Sequence, residues 1–297
     1  MTDRLLGSGL IIVDKPAGMT SHDVISRLRR IFGTRRVGHA GTLDPMATGV
    51  LVVGIERGTR FLAHLVTETK TYRATIRLGA STTTDDAEGD ITSRTDTTDV
   101  TDTLIDAAIA QLTGDIMQKP AAVSAIKIDG KRAHERVRDG ETVDIPARPV
   151  TVHRFDVLDQ RSVDGYIDLD VDVFCSSGTY IRSLARDLGN ALGVGGHLTA
   201  LRRTTVGPFD LTHARTLEEL EDNPQLSLTL DQALAASFPI LRVSGEEGHK
   251  LAMGQWLEPR GLKEIHAAVT PDGQAVALVK EKGKRLATVF VARPSTL

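Results

Sequence analysis

Apolar residues recur along the chain at two spacings. Leu10-Ile-Ile-Val13 is an unbroken apolar run closed by Pro16 and Gly18, the pattern of a short buried strand. Val24, Ile25, Leu28 and Ile31 then fall on one side of a 3.6-residue period, which predicts a helix capped by Ser21 and stopped at Gly33. Gly38 to Gly49 is rich in turn formers, and Val50 to Ile55 predicts a buried strand. Lys70 to Leu78 alternates apolar with polar and reads as a strand. The acidic, Ser/Thr-rich stretch from Thr82 to Thr101 reads mostly as loop, after which Thr101 caps a helix to Leu112 that Gly114 ends. Val150 to Leu158 predicts a strand. In Ile167 to Val173, Ile167, Leu169, Val171 and Val173 face one way and three Asp the other, a half-solvated antiparallel strand. Residues 179–192 predict a helix with Ile181, Leu184, Leu188 and Leu192 as its stripe, and Gly193-Val-Gly-Gly196 reads as its stop. Glu219 to Gln225, acidic and containing Asn-Pro, predicts a linker. Beyond residue 236 a capping box at Ser244–Glu247 opens one short helix, and short strands alternate with turns at Pro271–Gly273 and Lys282–Lys284. The expected fold is mixed α/β (α+β), with a largely antiparallel central sheet in a large domain over 1–225 and a small β-rich domain over 236–297.

Charge changes this picture more than composition does. With 40% apolar residues in 297, a packed core is expected. The net charge of −3 argues against a polyanionic ligand. Yet Arg27, Arg29, Arg30, Arg35 and Arg36 cluster, as do Lys280, Lys282, Lys284 and Arg285, while Asp85 to Asp106 holds a run of acids. Segregated charge can give a net-acidic protein a basic face, although on charge alone solvated surface runs are the commoner outcome. Cys175 is the single cysteine, so neither an intramolecular disulfide nor a cysteine zinc site can form, and a buried core thiol is expected. Neither a signal peptide nor a membrane-length apolar run is visible, and a soluble, cytoplasmic protein is expected. There is no P-loop, no dinucleotide fingerprint and no metal-ligand spacing among the scattered histidines. Cofactor-free chemistry through a carboxylate remains open.

Three places carry candidate chemistry. Gly38-His-Ala-Gly-Thr-Leu-Asp-Pro-Met-Ala-Thr-Gly49 is costly in chain entropy unless something holds it. Its Asp44, biased toward an extended conformation by Pro45 and anchored by the strand that follows, is placed as a nucleophile or general base would be. A structural Asp-Pro turn is the alternative. Tyr72, between Thr71 and Arg73, and Tyr180, at a strand-to-helix turn before Arg182, suit base stacking beside backbone neutralisation. A partly buried tyrosine with a satisfied hydroxyl is the alternative for each.

Together these segments resemble the TruB family of tRNA pseudouridine synthases. The match is carried by Val13-Asp-Lys-Pro-Ala-Gly-Met-Thr-Ser21, by Gly38 to Leu51, by Lys70-Thr-Tyr-Arg73 and by Cys175-Ser-Ser-Gly-Thr-Tyr-Ile-Arg182, with Leu201-Arg-Arg203 in support. The order and spacing fit from about residue 10 to 210. The resemblance implies a cofactor-independent enzyme that isomerises the uridine at position 55 in the TΨC loop of tRNA. It implies Asp44 as the catalytic aspartate, Tyr72 as the platform under the flipped uracil, and His39 as the histidine that holds the remodelled loop. Tyr180, Arg182 and Leu201 would line the pocket, with Arg182 pairing to Asp44, and Lys15-Pro16 would support the catalytic loop from beneath. The segment over 236–297 would be PUA-like, reaching the tRNA end. A monomer without an obligate protein partner is expected. A flipped base needs an aromatic platform, and an arginine beside a carboxylate keeps it ionised in a dry pocket. Attack by Asp44 on the ribose, attack on the uracil ring and removal of a ribose proton all stay open. The rival readings are a non-catalytic RNA-binding or tRNA-folding factor on the same scaffold, which intact Asp44, Tyr72 and Arg182 argue against, and a guide-RNA-dependent relative.

Overall fold

The structure is a computed structural model that describes residues 7–66, 68–121, 127–128, 131–132 and 145–295. Its elements run β1 (Gly9–Lys15), α1 (Ser21–Ile31), β2 (Val37–Ala40), β3 (Thr48–Ile55), a 3-10 turn (Glu56–Arg60), α2 (Leu62–Leu65), β4 (Lys70–Leu78), β5 (Ala80–Thr82), β6 (Ile91–Arg94), α3 (Asp102–Gln111), β7 (Gly114–Gln118), β8 (Lys127–Ile128) and β9 (Lys131–Arg132). They continue through β10 (Arg148–Val163), β11 (Tyr166–Cys175), α4 (Ile181–Ala191), β12 (Gly196–Val206), β13 (Phe209–Asp210), β14 (Ala214–Arg215), α5 (Leu217–Asp222) and β15 (Leu228–Thr229). The last are α6 (Leu230–Ser237), β16 (Ile240–Arg242), α7 (Gly245–Ala252), β17 (His266–Val269), β18 (Ala275–Lys282) and β19 (Arg285–Val291). The chain divides into two compact units. The first holds the described residues of Met1–Pro45, Gly49–Thr67 and Thr205–Leu297, and the second those of Met46–Thr48 and Glu68–Thr204.

In the first unit β1 is buried along its length. It runs antiparallel to β3, from Gly9↔Ile55 to Lys15↔Gly49, and parallel to β14 on its other edge. Leu10, Ile12, Val50 and Val52 form one face, and Phe61, Leu62, Leu65 and the α6 residues Leu230, Ala233 and Leu234 pack on it. That same core takes in Leu278 and Phe290 from the C-terminal four-stranded sheet, whose order is β16-β17-β18-β19. The C-terminal sheet is therefore fused to the β1–β3 layer by shared apolar burial. Polar clamps add direction: Arg57 Nε donates to Ala292 O at 2.8 Å, its NH2 reaches Val291 O, and its guanidinium lies over the Phe290 ring. The other face of the C-terminal sheet buries Val279 and Leu286 against Leu251 of α7 and Leu257.

Three expectations in this unit need correction. The N-cap of α1 is Thr20, not Ser21: Thr20 accepts from the Asp23 N–H and the Asp23 side chain answers to the Thr20 N–H, a full capping box. Ser21 is freed for another task, described below. The segment read as a linker begins inside α5, which opens on a Thr216–Glu219 capping box, because Leu217 and Leu220 recur at helical spacing and are buried. Part of its acidity is structural, since Glu221 forms a two-bond pair with Arg27 at 2.7 Å. The turn-rich stretch also starts as strand β2, paired to β3.

In the second unit the strands run β12-β4-β11-β10-β7. The register of β11 on β4 sets Ile167↔Leu78, Leu169↔Ile76, Val171↔Ala74 and Val173↔Tyr72 on the apolar face. The same register sets Asp168 opposite Arg77, Asp170 opposite Thr75 and Asp172 opposite Arg73. Directly opposed cross-strand residues share a face, so each aspartate meets a donor. Arg77 grips Asp168 through two bonds of 2.8 Å, and Arg161 and Arg154 of β10 reach Asp170 and Asp172. The aspartate face is the half-solvated one expected, and it carries an ion-pair lattice: Asp168 is buried, while Asp170 and Asp172 stay partly exposed with their arginine partners. The acidic loop expected from Thr82 to Thr101 contains strand β6, which pairs with β5 just ahead of it to form a short hairpin. Helix α4 ends at Gly193 and turns back through Gly195, both at positive φ. A Cβ on Gly189 would sit 2.1 Å from the backbone of Gly195 and Gly196, so only glycine lets the helix and its exit turn touch there.

Candidate active site

The loop after β2 carries Asp44, half-buried, and is held on both sides of it. Lys15, at the end of β1, has no exposed surface. Its ammonium donates to Met19 O at 2.6 Å, Pro16 O at 2.8 Å and Pro45 O at 3.3 Å. The Gly18 N–H donates to the same Pro45 carbonyl at 2.8 Å. Ser21, buried at the first turn of α1, accepts from Leu43 N–H at 3.0 Å and donates to Leu43 O at 3.1 Å. The residues immediately before and after Asp44 are thus tied to β1 and α1, and Leu43 and Ala47 are buried as anchors. The entropy cost of the glycine-rich loop is met by these bonds. His39 lies on β2 opposite Val53, its ring edge-on to His22 at 6.0 Å. The structure brings Lys15, Pro16 and the Asp44 loop together.

In the second unit Tyr72 is a buried residue of β4, and Leu201 is buried on the neighbouring strand β12. Tyr180 is the N-cap of α4, and Gln118 holds its backbone with two bonds, one accepted from Tyr180 N–H at 2.8 Å and one donated to Tyr180 O at 3.0 Å. Arg182, buried one residue into the helix, donates to Thr84 O at 3.2 Å and pairs with Asp86 at 3.3 Å. Asp86 is itself buried; it accepts from the Glu88 N–H at 3.0 Å and the Thr84 hydroxyl at 2.5 Å. Asp86 escapes a reading of the sequence, because it lies in a run of acids that looks like solvated loop. The signal was the three threonines ahead of it: hydroxyls of Thr82 and Thr84 both bond Asp86, which marks an ordered turn. At the foot of β4, burial and then the Arg203 charge pull the Lys70 ammonium down to about 8. Burial pushes the Cys175 thiol up to about 11, the inert core thiol expected.

The basic runs fare differently. Arg27 is committed to Glu221 and Arg36 to Glu56, while Lys280, Lys282, Lys284 and Arg285 stand exposed. Among the described residues no three His, Cys, Asp or Glu are grouped to hold a metal ion, and no helix is long and apolar enough to cross a membrane.

Solved structures with the same arrangement include a Cbf5–Nop10–Gar1 complex and an H/ACA RNP bound to a substrate RNA containing 2′-deoxyuridine. The first matches with a TM-score of 0.74 at 27% identity, over 98% of this chain and 87% of that one. The second matches with a TM-score of 0.71 at 26% identity, over 96% and 85%. The fold is that of the pseudouridine synthases. Residues 29–181 match the TruB family pseudouridylate synthase N-terminal domain, 182–236 the tRNA pseudouridylate synthase B C-terminal domain and 238–293 the tRNA pseudouridine synthase II C-terminal region. The tRNA pseudouridine synthase B of Corynebacterium efficiens is 73% identical over the whole of both chains, and that of Corynebacterium diphtheriae 70% over the whole of both. That of Nocardia farcinica is 59% identical over 97% of this chain and 94% of the relative. The chain belongs to the TruB family of pseudouridylate synthases.

Proposed function

We propose that this enzyme isomerises the uridine at position 55 in the T-loop of tRNA to pseudouridine, without cofactor or metal. The observation that carries the reading is the held loop. In a chain that matches proteins named tRNA pseudouridine synthase B from end to end, the backbone on both sides of the one carboxylate of the Gly38–Gly49 segment is held by Lys15, Gly18 and Ser21. Asp44 is assigned as the catalytic aspartate, Tyr72 as the platform under the extruded uracil, and Tyr180, Arg182 and Leu201 as the lining of its pocket. His39 meets the RNA loop, and Lys15 and Pro16 position the catalytic turn. Extrusion is required because the reacting bond is inaccessible in a folded RNA loop. The N1–C1′ bond breaks, the uracil turns, and C5–C1′ forms; the proton leaving C5 and the proton gained at N1 balance. The large domain over 1–225 performs this chemistry and the PUA-like segment over 236–297 binds RNA. The enzyme works as a cytoplasmic monomer without an obligate partner.

The test is incubation of the purified protein with an unmodified T-arm stem-loop in excess EDTA, followed by mapping of pseudouridine. Stoichiometric conversion of the one uridine is expected. Conversion that requires added metal, or tight binding with no conversion, would replace this reading by a metal-dependent enzyme or by a folding factor respectively.

A further inference from the structure

The turn from β11 into α4, Ser176 to Tyr180, is strapped at both ends by neighbouring strands. At its start Ser176 N–H donates to Thr151 O at 2.8 Å, and Thr151 N–H donates to the Ser176 hydroxyl at 2.9 Å. At its end the Gln118 carboxamide accepts from Tyr180 N–H at 2.8 Å and donates to Tyr180 O at 3.0 Å. Gln118 is the last residue of β7, is 2% exposed, and lies 62 residues from Tyr180 along the chain. Its own backbone is held in turn. It pairs with Arg148 of β10, and the next carbonyl, Lys119 O, accepts from Arg186 at 2.7 Å. Arg186 stands on α4 and pairs with Asp85 at 3.1 Å. Side chains therefore cross between β7 and α4 in both directions. The turn contains Gly178 at positive φ, so its rigidity comes from these bonds and not from its own backbone.

A capping box serves the N-cap N–H from within the helix, through the residue three places on. Helices α1, α5, α6 and α7 do this with Asp23, Glu219, Gln232 and Glu247. In α4 that place holds Ser183, which is fully buried and whose hydroxyl has no hydrogen-bond partner among the described residues. Tyr180 makes no side-chain cap bond. Gln118 supplies the missing acceptor from another strand, and its carboxamide also brings a donor for the N-cap carbonyl, which a carboxylate lacks. Two bonds to one residue fix the orientation of its backbone as well as its position, and hence the direction in which its side chain leaves. We infer that Gln118 is a positioning residue of the uridine pocket. It acts through Tyr180, aiming the tyrosine side chain at the extruded base, and it governs how fast bound RNA is converted, not how tightly RNA binds. The inference rests on the placing of Tyr180 in the pocket lining proposed above.

The test is a double-mutant cycle in the full chain, read by single-turnover conversion of the T-arm stem-loop, with RNA Kd and Tm measured alongside. Gln118→Met keeps the bulk of the side chain and removes both bonds. It should slow conversion by about 10- to 100-fold, the scale at which a misplacement of about 1 Å acts, with Kd within about threefold of wild type. In the Tyr180→Ala background the same substitution should change the rate by less than about threefold, because the group it positions is gone. Gln118→Glu supplies a readout that a merely structural role would not move. The ionised carboxylate still accepts from Tyr180 N–H but faces Tyr180 O without a donor, and protonation restores that donor. Burial and the bond to the carbonyl both favour the protonated form, so the rate of Gln118→Glu relative to wild type should climb about tenfold as pH falls from about 8 to about 5.5. An equal loss in both tyrosine backgrounds, a rise in Kd that accounts for the slower conversion, or a Gln118→Glu ratio that is flat with pH would each overturn the inference. If Gln118→Met does not fold, the pH ratio of Gln118→Glu decides alone. If the wild-type protein converts no uridine, the proposed function fails and this inference with it; a wild type that converts while the variants depart from this pattern counts against Gln118 alone.

Discussion

Lys15→Met is the substitution that most directly probes how the catalytic turn is held. Methionine keeps the length of the side chain and removes its donors. Two short bonds, to Met19 O and Pro16 O, and one longer bond to Pro45 O would disappear inside a site that water does not reach. Leaving a buried carbonyl without its donor costs about 1–3 kcal/mol, so the two short bonds together amount to about 2–6 kcal/mol. Removing a desolvated ammonium returns part of this, which places the net destabilisation at about 2–3 kcal/mol. In a unit of this size that lowers Tm by about 4–12 °C. The larger effect is expected on chemistry. Pro45 follows Asp44 directly, and a displacement of about 1 Å in a reacting group can cost about 100-fold. Single-turnover pseudouridine formation on the stem-loop should therefore slow by about 10- to 100-fold, with Kd for the RNA within about threefold of wild type. Circular dichroism melts and quenched-flow rates measured on one preparation check both parts. A Tm within about 1 °C of wild type together with an unchanged rate would refute the assignment of Lys15 as the positioning residue beneath the turn.

Two further outcomes follow from the buried groups of the second unit. Cys175, with its thiol held at about 11, should resist iodoacetamide at pH 8 in the folded protein and react once urea unfolds it, by mass spectrometry; labelling of the native protein at the rate of a free cysteine contradicts its burial. Lys70 titrates at about 8 when folded against 10.5 for the ordinary group, so between those values the unfolded chain holds a proton that the folded one has released. Its burial penalty is present in full below pH 8 and is relieved as pH rises to 10.5, which makes stability increase with pH in that window. Urea midpoints of wild type and Lys70→Met across about pH 7.5–10 should show that rising contribution in wild type alone, and a falling one would contradict the shift.

Regular periodicity made much of the fold legible. The strands β1, β3 and β4 and the helix α4 were all expected near their observed bounds, because each buries one face or both and leaves that record in its residues. The capping box at Ser244 was readable for a similar reason, since its donors and acceptors are neighbours in sequence. Failures came where a long-range partner redirected a local signal. Ser21 looks like a cap and serves Leu43, 22 residues away, leaving Thr20 to cap. The aspartates of β11 do lie on the half-solvated face expected, but their pairing with arginines from β4 and β10 was not legible. Asp86 looks like one acid among many and meets Arg182, 96 residues on. The candidate residues themselves were legible through motif resemblance, whereas the bonds of Lys15 and Ser21 that fix the Asp44 turn required coordinates.

Asp44 stands at the centre of the proposed chemistry on a bound uridine. Its most direct test is single-turnover conversion of the unmodified T-arm stem-loop by Asp44→Asn, with RNA affinity and Tm measured alongside. Retained Tm, a Kd close to wild type and a rate lower by a factor on the order of 10⁴–10⁶ are predicted, the scale at which removal of a nucleophile acts in other enzymes. A variant that binds and folds normally and still converts uridine within about tenfold of wild type would contradict the role of Asp44.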